Sequence, residues 1–143
     1  MDQYFKMLKD SGLSNTKPRL AIFNLLKNNS HQPMDTSQLI DDCKIFADRS
    51  TVYRSLESLE KAGIIRKVYQ GWKYKLELSE EFHGHHHHII CNLCKKTLPV
   101  ELNSDIENSI NQIAKNLDYS SVDHQLEITG ICPNCQKTRN PDE

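Results

Sequence analysis

The sequence predicts an α+β fold in two parts, and three observations predict it. Helical periodicity with capping signals runs through the first 63 residues and is followed by two basic, aromatic strands. Beyond residue 85, short strand-like runs flank one strongly periodic helix. Two C-x-x-C pairs, Cys91/Cys94 and Cys132/Cys135, bracket that second part. Brought together, they present four thiolates, the closed tetrahedral shell of a structural Zn²⁺. Such a staple is what a domain with little core of its own needs.

Residues 2–11 read as a short amphipathic helix ending at Gly12. Thr16 caps a second helix, with Pro18 in its first turn, where proline is tolerated. Leu20, Phe23 and Leu26 recur at helical spacing and define its inner face. After the loop NNSHQPM, Asp35 with Gln38 makes a capping-box-like start for a third helix that runs to about Phe46. Its lone Cys43 reads as a small apolar filler. Asp48 opens a fourth helix, RSTVYRSLESLEKAG, with Val52, Leu56 and Leu59 facing inward and Gly63 ending it.

The opposite face of that helix carries Arg49, Ser50, Thr51, Tyr53, Arg54 and Ser55. Hydroxyls, guanidiniums and a phenol in the first two turns are what a recognition helix brings to base edges and phosphates. The strands IIRKVYQ and WKYKLELS, joined at Gly71, set Arg66, Lys67, Lys73 and Lys75 beside Tyr69, Trp72 and Tyr74. Three helices and a basic hairpin make an N-terminal winged helix-turn-helix over residues 1–79. Arg19 and Lys73 join the recognition helix as candidate DNA contacts. A merely solvated helix beside an ordinary hairpin would leave the order of elements unexplained.

Residues 80–84 form a short polar linker where the charge changes sign. The 79 residues before it carry 13 Lys+Arg against 9 Asp+Glu, and the remainder 5 against 10, within a total of −1. A basic front half suits a polyanion, and an acidic back half rich in His and Cys suits cations.

The stretch HGHHHHIICNLC, His83 to Cys94, holds five of the seven histidines and two of the five cysteines. Read as a strand, it turns His85 and His87 to one face and His86 and His88 to the other. That supplies half-sites for a borderline metal on both sides. An expression tag would sit at a terminus and would not run into a C-x-x-C, and a merely solvated histidine tract is the remaining alternative. Disulfides, the other use of four cysteines, belong to secreted chains. The start MDQYFKMLKD has no signal-peptide core, and no apolar run is long enough to span a membrane. A cytoplasmic protein is the default.

KKTLPVEL then reads as a second strand with a proline irregularity. Ser104 and Glu107 form a capping box for a helix with the apolar stripe Ile106, Ile110, Ile113, Ala114 and Leu117. SSVDHQLEITGIC reads as a last strand, with His124, Leu126 and Ile128 on one face. The second domain spans 85–136, and residues 137–143 form a disordered tail.

From about Leu13 to Cys135 the chain resembles the ferric uptake regulator (Fur) family of metal-dependent bacterial repressors. The segments that carry the likeness are TKPRLAIFNLL, RSTVYRSLESLEKAGII, KYKLELS, HHHHIICNLC and DHQLEITGICPNC. The resemblance implies a small C-terminal α/β dimerisation domain and a homodimer on a palindromic double-stranded DNA operator. It implies Cys91, Cys94, Cys132 and Cys135 as structural zinc ligands. It implies Tyr53 and Arg54 as DNA contacts, and His85, His87, Glu107 and His124 as a second metal site. Glu77, His86 and His88 match three ligands of a sensing site at the hinge. Its fourth is usually a histidine in the loop before the third helix. His31 lies in that loop, displaced about two residues, and the linker EEFHG adds His83. The hinge site then uses His31 or His83, stays three-coordinate with water, or is lost.

The function implied is a metal-responsive repressor of metal-homeostasis or oxidative-stress genes. Imidazole and carboxylate accept several divalent ions, so the regulatory metal is Zn²⁺ or Fe²⁺, with Mn²⁺ the further choice. Two rivals come from other classes. A zinc metallohydrolase would use three histidines and a carboxylate around an open water position, but no extra carboxylate stands out as its base. A metal buffer or chaperone predicts no sequence-specific DNA footprint.

Overall fold

The structure, a computed structural model, describes residues 1–30 and 32–139, and the chain divides into one unit ending at Gly84 and another beginning at His85. In the first unit, α1 (Asp2–Asp10) turns Tyr4 and Leu8 into the core. The Tyr4 ring stacks on Phe23 of α2 (Lys17–Asn28) at 4.3 Å between centroids. Its hydroxyl donates to Asn15 Oδ1 at 3.1 Å, and burial pushes the phenol pKa up. Thr16 caps α2 as its sequence requires, accepting from the Arg19 amide.

Helix α3 (Thr36–Cys43) is shorter than its sequence suggests. The regular helix stops at Cys43, and the Phe46 and Ala47 amides close one further turn on the Cys43 carbonyl before Asp48 starts the next helix. Asp35 stands at the N-cap but makes no side-chain cap, so the expected capping box is absent. Cys43 is fully buried among apolar neighbours, as a filler should be.

Asp48 starts α4 (Arg49–Lys61) by accepting from the Thr51 amide at 2.7 Å. Val52, Leu56 and Leu59 enter the core with Ile22, Phe23, Leu26, Leu39 and Ile64. Ser55, placed by the sequence on the outer face, is buried instead. Its hydroxyl donates to the Thr51 carbonyl at 2.8 Å, which satisfies it within the helix. Gly63 takes a φ of +71°, the left-handed turn that ends the helix cheaply only without a side chain.

The hairpin pairs β1 (Ile65–Gln70) with β2 (Lys73–Leu78), closing at Gln70 and Lys73 over a Gly71–Trp72 turn. Met34 adds a bridge to Leu76, with both amide–carbonyl bonds at 2.8 Å, a pairing the sequence did not announce. Glu80–His83 form one helical turn, α5, and Phe82 packs edge-on against Phe23 at 5.2 Å. A large aromatic with apolar neighbours in reach leaves solvent, and the turn goes with it.

In the second unit, β3 (His87–Cys91) is the middle strand of a sheet ordered β4-β3-β5. β4 (Thr97–Val100) lies antiparallel at one edge, where Pro99 costs no ladder bond. β5 (Glu127–Gly130) runs parallel on the other side, and α6 (Ser104–Asn116) lies in the crossover between β4 and β5. The strand predicted from Ser120 is therefore confined to four residues, and His124 precedes it. α6 is capped by Asn103, which accepts from the Ile106 amide at 3.0 Å, not by the predicted Ser104–Glu107 box. Its apolar stripe stays open: Ile106, Ile113 and Leu117 are all exposed. Residues 137–139 are no frayed tail but the end of α7 (Pro133–Arg139); residues 140–143 lie outside those described.

Candidate metal centres and nucleic-acid face

The parallel register pairs Cys91 with Gly130, so the chain leaving β5 arrives beside the first C-x-x-C. The four sulfurs of Cys91, Cys94, Cys132 and Cys135 lie within 4.8 Å of one another, and Cys94 and Cys132 are 3.8 Å apart. A tetrahedron with Zn–S bonds of about 2.3 Å has sulfur–sulfur edges of about 3.8 Å. The four thiols are all free, so the cluster fits a structural Zn²⁺ and not a disulfide pair. The Cys132 amide donates to Cys91 Sγ at 3.4 Å. That bond, then one from the Cys94 amide, draws the Cys91 pKa down to about 6. Cys135 is pushed up to about 12, first by its contact with Cys132 and then by burial. Four clustered sulfurs cannot all be anionic without a cation among them, which the ion would supply.

In the second cluster, Glu107 stands in the first turn of α6, after the Asn103 cap, and meets His87 of β3. His87 is buried, and its Nε2 lies 2.7 Å from Glu107 Oε1. His85 Nε2 is 3.2 Å from the same oxygen, and His124 Nε2 is 2.9 Å from Oε2. The His85 and His124 Nε2 atoms are 3.2 Å apart. Three imidazole nitrogens and a carboxylate aimed at one point are a donor set for a borderline divalent ion. The His87 hydrogen bond, ahead of the charges on the three rings, holds the Glu107 pKa below the usual carboxylate range. His87 Nδ1 is buried with no hydrogen-bond partner among the described residues.

The predicted hinge ligands fall in different units, and each is described in its own. His86 and His88 lie on the other side of β3, their rings 4.9 Å apart, with His88 buried. Glu77 on β2 is buried and accepts from Arg66 Nε at 2.7 Å, while Arg66 Nη1 donates to Glu80 at 2.9 Å. Arg66, read from sequence as a wing cation, is thus bound to carboxylates. The signal was legible in principle, since Arg66 and Glu77 are cross-strand partners. His31 lies outside the described residues.

On α4, Arg49, Ser50, Tyr53 and Arg54 are exposed and Thr51 half-exposed. Arg49 Nη2 donates to the Tyr53 hydroxyl at 3.3 Å, and its guanidinium carbon sits 5.5 Å from the Tyr53 ring centre. Arg54 Nη2 donates to Thr51 Oγ1 at 3.3 Å. Arg19 is engaged elsewhere: it donates to Ser58 Oγ at 3.1 Å and the Ser14 carbonyl at 2.7 Å, tying α2 to α4. Lys73 is exposed at the hairpin tip.

A unit with a recognition-type helix and basic hairpin, followed by a unit holding a zinc-fitting sulfur cluster and a histidine–carboxylate cluster, defines a class. It is that of metal-dependent DNA-binding regulators. The model of the Ferric uptake regulator family matches residues 10–129, and the chain belongs to that family. It is 34% identical over 133 residues to the ferric uptake regulation protein of Neisseria meningitidis serogroup A, covering 90% of each chain. The Vibrio cholerae ferric uptake regulator superposes with a TM-score of 0.70 at 30% identity, over 89% of this chain and 98% of that one. The Helicobacter pylori regulator, whose structure is described as having three functional metal-binding sites, gives a TM-score of 0.73 at 26% identity, over 94% and 90%. The protein is a metal-dependent DNA-binding transcriptional repressor. Among the described residues, no helix is long and apolar enough to cross a membrane.

Proposed function

We propose that this chain is a cytoplasmic homodimer that represses transcription when a divalent metal occupies ligands in its second unit. It binds and does not catalyse. In this reading Cys91, Cys94, Cys132 and Cys135 hold the structural Zn²⁺. His85, His87, Glu107 and His124 hold a regulatory ion, Zn²⁺ or Fe²⁺, with Mn²⁺ next. His86 and His88 offer further imidazole donors within the second unit, as the three metal sites of the Helicobacter pylori relative suggest. The observation that carries the reading is the convergence of three imidazole nitrogens on the one carboxylate of Glu107.

A bound ion would supply a fixed positive centre for these side chains. Glu107 ties the start of α6 to the sheet through His87, and His85 and His124 bring in the segments ahead of β3 and β5. The open Ile106, Ile113 and Leu117 stripe suits a second copy of the chain. Two copies of α4, carrying Arg49, Ser50, Thr51, Tyr53 and Arg54, would then meet successive major grooves of a palindromic operator. Without the ion, the cost of ordering the dimer weakens binding.

The test is operator affinity against free metal, with the cysteine-bound zinc left in place. Binding at least tenfold tighter with the regulatory ion is expected. Equal affinity with and without it would refute the switch.

A further inference from the structure

Thr51, Ser55 and Ser58 recur at i, i+4 and i+7 along α4, each one residue before a member of its inward stripe Val52, Leu56 and Leu59. Ser55 is buried and Ser58 half-buried. Both hydroxyls turn back on their own helix: Ser55 Oγ donates to the Thr51 carbonyl at 2.8 Å, and Ser58 Oγ to the Ser55 carbonyl at 2.9 Å. Ser58 Oγ also accepts from Arg19 Nε at 3.1 Å, and Arg19 Nη1 donates to the Ser14 carbonyl at 2.7 Å. At the other end, Arg54 Nη2 donates to Thr51 Oγ1 at 3.3 Å, and the Thr51 amide is held by Asp48. One polar chain therefore runs from the loop ahead of α2, through Arg19 and along α4, to Arg54. Serine is a poorer helix former than alanine, which would fill this seam at less cost. A hydroxyl that donates back to its own helix shares a carbonyl with the ladder and tends to bend the helix. The arrangement costs helix stability, and what it supplies is direction. The rigid fork of a guanidinium admits few relative positions of α2 and α4.

We propose that Arg19, Ser55 and Ser58 are positioning residues for DNA recognition: they fix the bend and rotation of α4 on α2, and so aim Tyr53 and Arg54 at base edges, without touching DNA themselves. The inference rests on the DNA-binding reading of α4 and deepens it. It also reassigns Arg19, whose charge at the start of α2 suits a phosphate contact but whose Nε and Nη1 are spent inside the unit, on Ser58 and Ser14. Reading a base edge depends on donor and acceptor alignment, whereas holding a phosphate depends chiefly on charge. A slightly rotated α4 keeps its charge and loses its alignment. The seam therefore governs the preference for one sequence over another and leaves general affinity alone.

The test uses the metal-loaded full chain, a duplex that it selects from a random-sequence library, and a scrambled duplex of equal length. Ser58→Ala should lower the ratio of affinities between the two duplexes by roughly tenfold, the discrimination carried by one well-aligned base contact. The scrambled duplex should be bound as before. Ser58→Thr, which keeps the hydroxyl, should restore most of the ratio. Arg19→Ala should lower the ratio as much as Ser58→Ala, and the double variant no further, because both changes break the same contact. Arg19→Ala should leave the slope of log affinity against log salt unchanged, whereas loss of a phosphate contact would lower it by about 0.9. Alanine is the better helix former, so Ser58→Ala carries the test even where Arg19→Ala unfolds. If the library yields no bound duplex, the DNA reading fails and the inference with it. If a duplex is bound and Ser58→Ala leaves the ratio unchanged, the inference alone is overturned. A salt slope lowered by about 0.9 in Arg19→Ala would make Arg19 a phosphate contact and overturn it too.

Discussion

The Nε2 atoms of His85 and His124 lie 3.2 Å apart although 39 residues separate them in the chain. The same offset pairs His88 with Glu127 and Cys91 with Gly130 in the parallel ladder. One register therefore aligns the histidine cluster at one end of β3 and the cysteine cluster at the other. A slip of one residue would turn the side chains of β5 to the opposite face and dismantle both clusters.

The cysteine cluster sets the first prediction. Cys132→Ser, or strong chelation, should remove one zinc per chain and unfold the second unit, since a small domain of this kind is held by its metal. Metal analysis with circular dichroism reads the outcome. At pH 7, zinc binding should displace a proton from Cys135, whose pKa is about 12, but little from Cys91, whose pKa is about 6. Proton release per zinc, measured by calorimetry in buffers of different ionisation heat, should rise by about one between pH 7.5 and pH 5.

Glu107→Gln should separate the two clusters. The variant keeps its cysteine-bound zinc and loses the second ion, because an amide is a weak ligand and the charge among three imidazoles is gone. Loss of both ions together would argue against independent sites. In the metal-free wild type, the depressed Glu107 pKa has a defined sign. Its stabilising contribution is present above the ordinary glutamate range and disappears as pH falls through the lowered value.

Helix starts offer a test in each unit. Thr16→Ala and Asn103→Ala should each cost about 1 kcal/mol in denaturant unfolding, the usual loss of an N-cap. Asp48→Ala should destabilise α4 at neutral pH. The Thr51 amide holds the Asp48 pKa low, so the deficit should shrink as pH falls through that lowered value.

Ile113→Glu probes the open stripe of α6. Ile113 is 64% exposed, so a single chain should tolerate the change and keep its fold and zinc. Sedimentation should show a dimer for the wild type and a monomer for the variant. A variant that remains dimeric would move the interface elsewhere.

Much of this protein was legible in its residues alone. The start of α2 at Thr16, the start of α4 at Asp48, its end at Gly63 and the hairpin at Gly71 all follow from short-range rules. Capping oxygens and left-handed glycines act on their own neighbours and need no distant partner. The spacing of the two C-x-x-C pairs likewise declared a sulfur site. Tertiary structure decided the rest, because the deciding contacts are remote in sequence. Asn103, not Ser104, caps α6, and Glu107 meets three histidines instead of closing a capping box. Ser55 turned inward, the 80–84 segment curled so that Phe82 could pack on Phe23, and Arg66 left the wing surface for Glu77 and Glu80. Local pattern says which side chains can bury or ligate, but only the folded register says which of them meet.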